Sequence, residues 1–534
     1  MKALMTSVLL ASALCACGGG DSSAPAPAPP PPSPPPPSVK LLSGDISRIV
    51  VGGTSVAIDV SIEPSFTPAG TLYATATDPS GVISPAVAVK PAGAGSYTLS
   101  LTSSKSVATG HYTANVTLNL CADAACAVAQ QVSSIGVAFD INVMSPTSAW
   151  PGDKLSTLSS WQGAPDWATF QGNAAHTGHV PVVVNPDRFS ARWRTPALTA
   201  RGSRYDLMDT LASADGKFFV AASNLLYARN EFDGSTVWQY DFSGLQFPSV
   251  NPPAVANGTV YIAAGQQSST FMFAFDAATG ALRFKAPMSS QWENYLAPTV
   301  GAQGVYTNAG GYGGLYGFDP TGQQMFFAGM AQTSMWTPAV DAGGVYSYTG
   351  GELKVVHPST GAVLQTISDP TFQNYIYEIG GAPVLGAPGS VFVANYENSL
   401  LNGGNIGNTL TNFSIVRNAI AWQVPGVYPS TPAYAAGILY VANERPMRLE
   451  ARAEADGALL WSWVPPQAGD TNFKSEVLLT NNLVFVSTNL ATYAIDINSH
   501  RVVWSYPQVG RLALSKNGVL YIQGTDYLTA INLK

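Results

Sequence analysis

Charge is what this 534-residue chain has least of: Asp, Glu, Lys and Arg make up 11% of it, with a formal net charge of −7. A partner held through its phosphate backbone calls for concentrated Lys and Arg, and no basic run occurs, so a nucleic-acid role is excluded. Histidine is scarce at 5 residues and cysteine at 4, the latter confined to positions 15, 17, 121 and 126. No Gly-x-Ser-x-Gly sequence appears, and nothing else pairs a nucleophile with a base, so hydrolysis has no visible seat. Turn formers are plentiful instead: 51 Gly and 39 Pro punctuate a chain that is 46% hydrophobic, which suits many short strands and argues against long amphipathic helices.

The N-terminus reads as an export signal. Lys2 supplies the positive start, and the apolar stretch from Leu4 to Leu14 is too short to span a bilayer. Leu14-Cys15-Ala16-Cys17 followed by three glycines resembles the lipobox of bacterial lipoproteins. That resemblance implies a signal peptide over 1–16 and Cys17 as the lipidated mature N-terminus, anchored in the membrane. Gly18 in place of Asp implies the outer membrane, facing the periplasm or the surface. An ordinary secretory signal with two incidental cysteines is the alternative. Residues 17–38 are a Gly/Pro-rich tether, whose proline-rich part stiffens into polyproline II and has a reach of roughly 40 to 50 Å.

Over 39–145 the pattern changes to period-two strands, such as Ser55 to Ile62, Tyr97 to Leu101 and His111 to Leu120. About seven such strands predict an immunoglobulin-like β-sandwich. Cys121 and Cys126 flank a tight Ala-Asp-Ala-Ala loop, and in an exported chain they are expected to form a disulfide; Asp123 alone is too little for a metal site. A linker over 146–160 leads into the largest region, 161–534.

There one phrase recurs: a β-run, a turn of Asp, Thr and Gly, and a second β-run carrying an aromatic, as in Phe275-Asp276-Ala277-Ala278-Thr279-Gly280 followed by Phe284. The aromatics or their substitutes are Trp193, Trp238, Phe284, Phe326, Leu364, Trp422, Trp461 and Trp504, spaced 38 to 46 residues apart except for one interval of 58. A period near 43 with four short strands per unit predicts propeller blades. Eight apolar second strands, from Lys217 to Val220 through Val519 to Ile522, are offset from the aromatics: Trp193 precedes them all, and none of the aromatics follows the last. The strand at Trp193 is therefore expected to complete the eighth blade, closing the ring and leaving no free sheet edge. The long interval places an insertion from Asn395 to Asn412 in the fifth blade.

The repeated phrase, with Trp167, Gly172 and His176-Thr177-Gly178 ahead of it, resembles the PQQ-like family of eight-bladed β-propellers. The fold expected is thus all-β, an eight-bladed PQQ-like propeller preceded by an immunoglobulin-like β-sandwich. One branch of that family holds pyrroloquinoline quinone over the ring axis between a Trp and a disulfide of adjacent cysteines, with calcium and an Asp base. The other, the propeller lipoprotein of the outer-membrane assembly complex, is a docking surface without cofactor. No cysteine lies in the repeat region, Cys-x-x-Cys-His is missing, and Asp209, Glu293, Glu378 and Glu476 stand apart with no Asp-x-Asp cluster, so quinone and calcium are disfavoured. His176, His179, His357 and His500 are read as turn or surface residues.

A binding module is the reading that remains. Trp292, Tyr295, Trp336, Tyr375, Tyr377 and Phe473 each precede a first strand and so fall on one face of the disc. Such aromatics suit an envelope protein or a glycan, or they fill gaps between blades. The chain is expected to be a lipid-anchored monomer acting as a non-catalytic scaffold, the alternatives being a quinoprotein dehydrogenase and a surface adhesin.

Overall fold

The computed structural model describes residues 35–42, 46–51, 55–93, 95–108, 110–144, 155–197, 210–246, 248–290, 296–308, 313–372, 378–395, 409–467 and 469–534. Cys17 and most of the tether lie outside them.

The N-terminal unit contains β1 (Val39–Leu41), β2 (Ile46–Val51), β3 (Ala57–Pro64), β4 (Tyr73–Thr77), β5 (Ala86–Gly93), β6 (Ser96–Thr102), β7 (Gly110–Cys121) and β8 (Ala129–Met144). They form one sheet in the order β1-β3-β6-β5-β4-β7-β8-β2. Because β5 pairs with both β6 and β4, the sheet turns over on itself. Inward residues of alternate parity, Ile58, Val60, Ile62 and Leu99 from one half and Val116, Leu118 and Val137 from the other, then share a single core. All pairs are antiparallel except β2 with β8, which is parallel. Cys121 and Cys126 are joined, closing the loop after β7. Asp123 accepts the Ala127 and Val128 N–H groups in that loop, and these bonds hold its carboxyl below the usual range.

Eight four-stranded antiparallel sheets follow, blades 1 to 8, spanning 212–241, 254–290, 299–329, 339–368, 384–425, 433–463, 478–506 and 511–532. The last has three strands of its own; β9 (Ser190–Pro196) is its fourth, pairing antiparallel with Tyr527–Asn532. The offset count is thus realised, and the ring closes without a covalent seam. The insertion is narrower than expected, because Asn395 ends the second strand of blade 5 and Thr409–Ser414, which includes Asn412, is already its third. One pair had no signal in the repeat: Ser334–Trp336 and Glu378–Gly381 run parallel between the connections that enter blades 4 and 5.

What joins the blades is the repeated phrase, but across seams. On the fourth strands, Trp193, Trp238, Phe284, Trp422, Trp461 and Trp504 sit opposite Ala530, Ala228, Ala274, Asn412, Ala451 and Ala494 of their own third strands, five of them alanines that leave room for the ring. The other side of the ring lies on the turn of the next blade. A Cβ at Gly234, Gly280, Gly322, Gly361 or Gly457 would come within about 3.1 Å of Trp193, Trp238, Phe284, Phe326 or Trp422, respectively, so the aromatic needs a bare backbone beneath it. Indole N–H groups of Trp193, Trp238 and Trp422 donate to the carbonyls of Glu231, Ala277 and Glu454, three residues before those glycines. Where the turn carries His500 instead, at φ +58°, Trp461 stacks on its imidazole at 4.5 Å.

Blade 4 corrects one assignment. Leu364, taken as the substitute for the aromatic, is exposed, and the register places Gln365 opposite Val355 at the ring position. Its Nε2 donates to Ile415 O and to Asn418 Oδ1, both at 2.8 Å; Ile415 again lies three residues before the left-handed turn residue, here Asn418 at φ +50°. An amide thus makes the bond an indole makes elsewhere.

The N-terminal unit leans on the rim of the ring. Asp140 of β8 pairs with Arg501 at 3.7 Å, and Arg48 of β2 donates to Pro466 O at 3.1 Å.

Candidate functional site

A propeller's first strands line its axis and leave one edge of N–H and C=O groups unpaired, so any axial site is built on them. In this ring the edge is met by the chain itself. Ser213 N–H of blade 1 donates to Trp167 O and Val255 N–H of blade 2 to Ala168 O, both at 2.7 Å. Thr169 Oγ1 donates to Pro298 O beside blade 3 at 2.7 Å. Val340, Leu385, Tyr434 and Leu479, of blades 4 to 7, then donate to Ala174, Ala175, Thr177 and Gly178 at 2.7 to 2.9 Å. Residues 167–178 circle the axis once and meet the blades in order. Trp161, whose N–H donates to Lys516 O, ties the approach to blade 8.

Side chains complete the filling. Phe170 is buried among Leu296, Ala297 and Ala382. Gln171 Nε2 lies 3.1 to 3.4 Å from the carbonyls of Thr431, Pro432 and Val477, between blades 6 and 7. His176 is fully buried and bridges blade 5 to blade 3: Nδ1 is 3.1 Å from Pro383 O and Nε2 3.1 Å from Thr299 Oγ1. A carbonyl only accepts, so Nδ1 carries the proton and Nε2 takes the threonine's. Desolvation by burial lowers this imidazole to a pKa of about 4, the Pro383 bond opposing it. His176 is in a turn, at φ +57°, as expected of it, but at the centre of the ring and not on the surface. Gly172 and Gly178 are obligatory for packing: a Cβ would stand 2.9 Å from the Trp167 ring and 2.7 Å from Val477 O.

Two of the aromatics expected on an open face are inside the ring. Trp336 is 2% exposed, packed with Tyr306, Phe326 and Val340, and donates to Thr333 O. Phe473 lies with Trp463 and Tyr493 in the core of blades 6 and 7, its N–H on Glu444 Oε1. The connection into a first strand turns toward the axis, and an aromatic near its end is drawn between blades. Trp292, Tyr295, Tyr375 and Tyr377 lie outside the described residues, as do Asp209 and Glu293.

Of the other histidines, His357 takes the place of the turn Asp in blade 4, its Nδ1 accepting the Ser359 N–H. His179 bonds Asn481 Oδ1 at 3.0 Å, beside a cleft of about 350 Å³ that Thr177, Tyr434, Ile438 and Tyr440 also line.

A quinone stacked on the axis would need a flat slot and, for its metal, converging carboxylates. The described residues do not fit: the slot is filled by Phe170, Gln171 and His176, and no group of three His, Cys, Asp or Glu able to hold a metal occurs among them. Glu476, at the mouth of blade 7, is committed to Arg511 at 2.6 Å.

The profile of the PQQ-like family described as "Outer membrane protein assembly factor BamB" matches residues 176–272 and 248–463, more than half of the chain. The chain belongs to this family. Among solved structures it is similar to BamB from Moraxella catarrhalis, at 16% identity and a TM-score of 0.48, over 65% of this chain and 98% of that one. The computationally designed Ika8 protein aligns at 13% identity and a TM-score of 0.47, over 64% of this chain and 100% of that one. No curated protein matches. Within this BamB-like family ring, sequence reasoning missed Thr169, Phe170 and Gln171, although Gly172, directly after them, and Gly178 mark the close approach of this segment.

Proposed function

We propose that this chain is a docking protein of the cell envelope, of the outer-membrane assembly kind, which binds another envelope protein and carries out no chemistry of its own. Membership of the BamB family carries the reading. In it the N-terminal unit is an immunoglobulin-like spacer, supported by its strand order and by the parallel pairing of β2 with β8. Cys17 carries the lipid, and the tether sets the height of the ring above the membrane. Trp292, Tyr295, Tyr375 and Tyr377 are the contact residues, Trp336 and Phe473 being withdrawn into the core.

The test is in-cell crosslinking of the full-length protein followed by identification of its partners, with a Trp292→Ala/Tyr375→Ala variant in parallel. Loss of a partner from a folded variant supports the reading. An unchanged partner set rejects this face, and retention on a glycan resin without any protein partner replaces docking with glycan binding. The anchor is checked separately: Cys17→Ala moves the protein from the membrane to the soluble fraction, and continued membrane association counts against lipidation.

A further inference from the structure

The axial segment is more than a loop that passes through a hole. At six blades it satisfies the same backbone group, the N–H at the equivalent position of the first strand: Ser213, Val255, Val340, Leu385, Tyr434 and Leu479. At blade 3 the main-chain bond is replaced by side chains, with Thr169 on Pro298 O and His176 on Thr299. The segment's own shape is set locally. Asn173 Oδ1 accepts the Ala175 and Thr177 N–H groups, and its Nδ2 donates to Thr177 Oγ1, holding the bend between Gly172 and Gly178. Small residues at Gly172, Ala174 and Ala175 let the main chain come within hydrogen-bond distance of strands on opposite sides of the ring.

These are the marks of a bound peptide: carbonyls aimed at a ring of donors, a few buried side chains that read particular partners, and a conformation held before docking. Gln171 and His176 are the readers. Each spans more than one blade, and each is matched by acceptors or donors that only the ring supplies.

We infer that the axis of this propeller is a peptide-binding site whose resident ligand is the chain's own residues 167–178, and that this ligand stands where the quinone branch of the family carries its cofactor. The ring is then held at its centre by a self-peptide as well as at its seams by the aromatic clasps. It takes up neither pyrroloquinoline quinone nor calcium at the axis. Entry of a quinone would require the six N–H groups, together with Gln171 and His176, to give up their partners at once.

Two measurements on the full-length protein decide this. In hydrogen exchange, the amides of Ser213, Val255, Val340, Leu385, Tyr434 and Leu479 are expected to be protected together in the wild type. In Gln171→Ala/His176→Ala their exchange rises at least tenfold, while the outer-strand ladders stay protected, and a synthetic peptide of residues 164–184 added to the variant slows those six amides again. Fast exchange at these amides in the wild type, or no response to the peptide in a folded variant, overturns the assignment. Independently of any variant, the wild-type protein is incubated with pyrroloquinoline quinone and Ca²⁺ and passed through gel filtration. No quinone absorbance should travel with it, and one quinone retained per chain overturns the exclusion.

Discussion

Gly280 and Gly258 have nearly the same backbone, φ +74° and +69°, yet a methyl group at the first would meet the Trp238 ring at 2.7 Å and at the second nothing within 4 Å. Alanine at Gly258 therefore costs only the left-handed strain, about 1 to 2 kcal/mol. Alanine at Gly280 adds the displacement of a packed indole, about 1 to 3 kcal/mol more. Urea unfolding of the two variants separates the terms, and equal losses would show that the clasp does not depend on a bare turn. His176 gives a second prediction. Its folded pKa, about 4, lies below the ordinary 6.5, so below pH 6.5 the unfolded chain takes up a proton that the folded chain refuses. Stability from this residue is complete above pH 6.5 and is lost as pH falls toward 4, by about 3 kcal/mol in all. Denaturation midpoints at pH 7 and pH 4.5 should differ less in His176→Gln than in the wild type. The turn glycines and the aromatics were legible in the sequence as one phrase. Their pairing was not, because each ring rests on the turn of the following blade, and spacing within a phrase is silent about the next. A usable signal was present two residues before the turn, where Ala228, Ala274, Gly317, Ala451, Ala494 and Ala530 leave room across the ladder for the ring.

At the scale of elements, the strand that closes the ring carries its own clasp. Trp193 of β9 stacks on Phe218 at 5.5 Å and bonds Glu231 O, so Trp193→Ala removes a buried indole and loosens the seam between blades 8 and 1, for about 3 to 5 kcal/mol. The polar clasp of blade 4 is weaker. Gln365→Leu forfeits two hydrogen bonds and little packing, about 1 to 3 kcal/mol. Thermal unfolding of both variants should rank them in that order; the reverse order would mean that seams are not held by their aromatics. Blade 6 hides a different dependence. Glu450 is fully buried on the third strand between Arg448 and Arg452, at 2.7 and 2.6 Å, with Asn443 on the same carboxylate. Burial alone would raise its pKa, but the bonds from Arg452, Asn443 and Arg448 outweigh it and bring the carboxyl below its ordinary value. Glu450→Ala strands Arg452 in the core and is expected to cost about 3 to 5 kcal/mol. The half-exposed Glu352, paired with Lys354 at 3.1 Å, should cost no more than about 1 kcal/mol on the same change, a contrast read by the shift in denaturation midpoint.

For the whole molecule, the ring was legible because its period, its second strands and its offset aromatics all repeat, and repetition multiplies a weak local signal eight times. The axial segment does not repeat. Its hydrogen bonds reach seven separate blades, and no window of sequence around Trp167 holds any of them, so only Gly172 and Gly178, which follow Gln171 and His176, betray it. The aromatics near the axis were left between two readings for a related reason: Trp336 and Phe473 occupy loop positions in the sequence but fill gaps inside the ring in space. The closure at β9 also sets a schedule. Residues 161–196 are made before every blade they join, their partners are spread over the rest of the chain, and β9 meets its own sheet only when Tyr527–Asn532 has been synthesised and delivered. The axial segment can gather its partners blade by blade, but β9 keeps an open strand edge until the third strand of blade 8 arrives, and that edge is the part of the ring most exposed to wrong pairing while the chain folds.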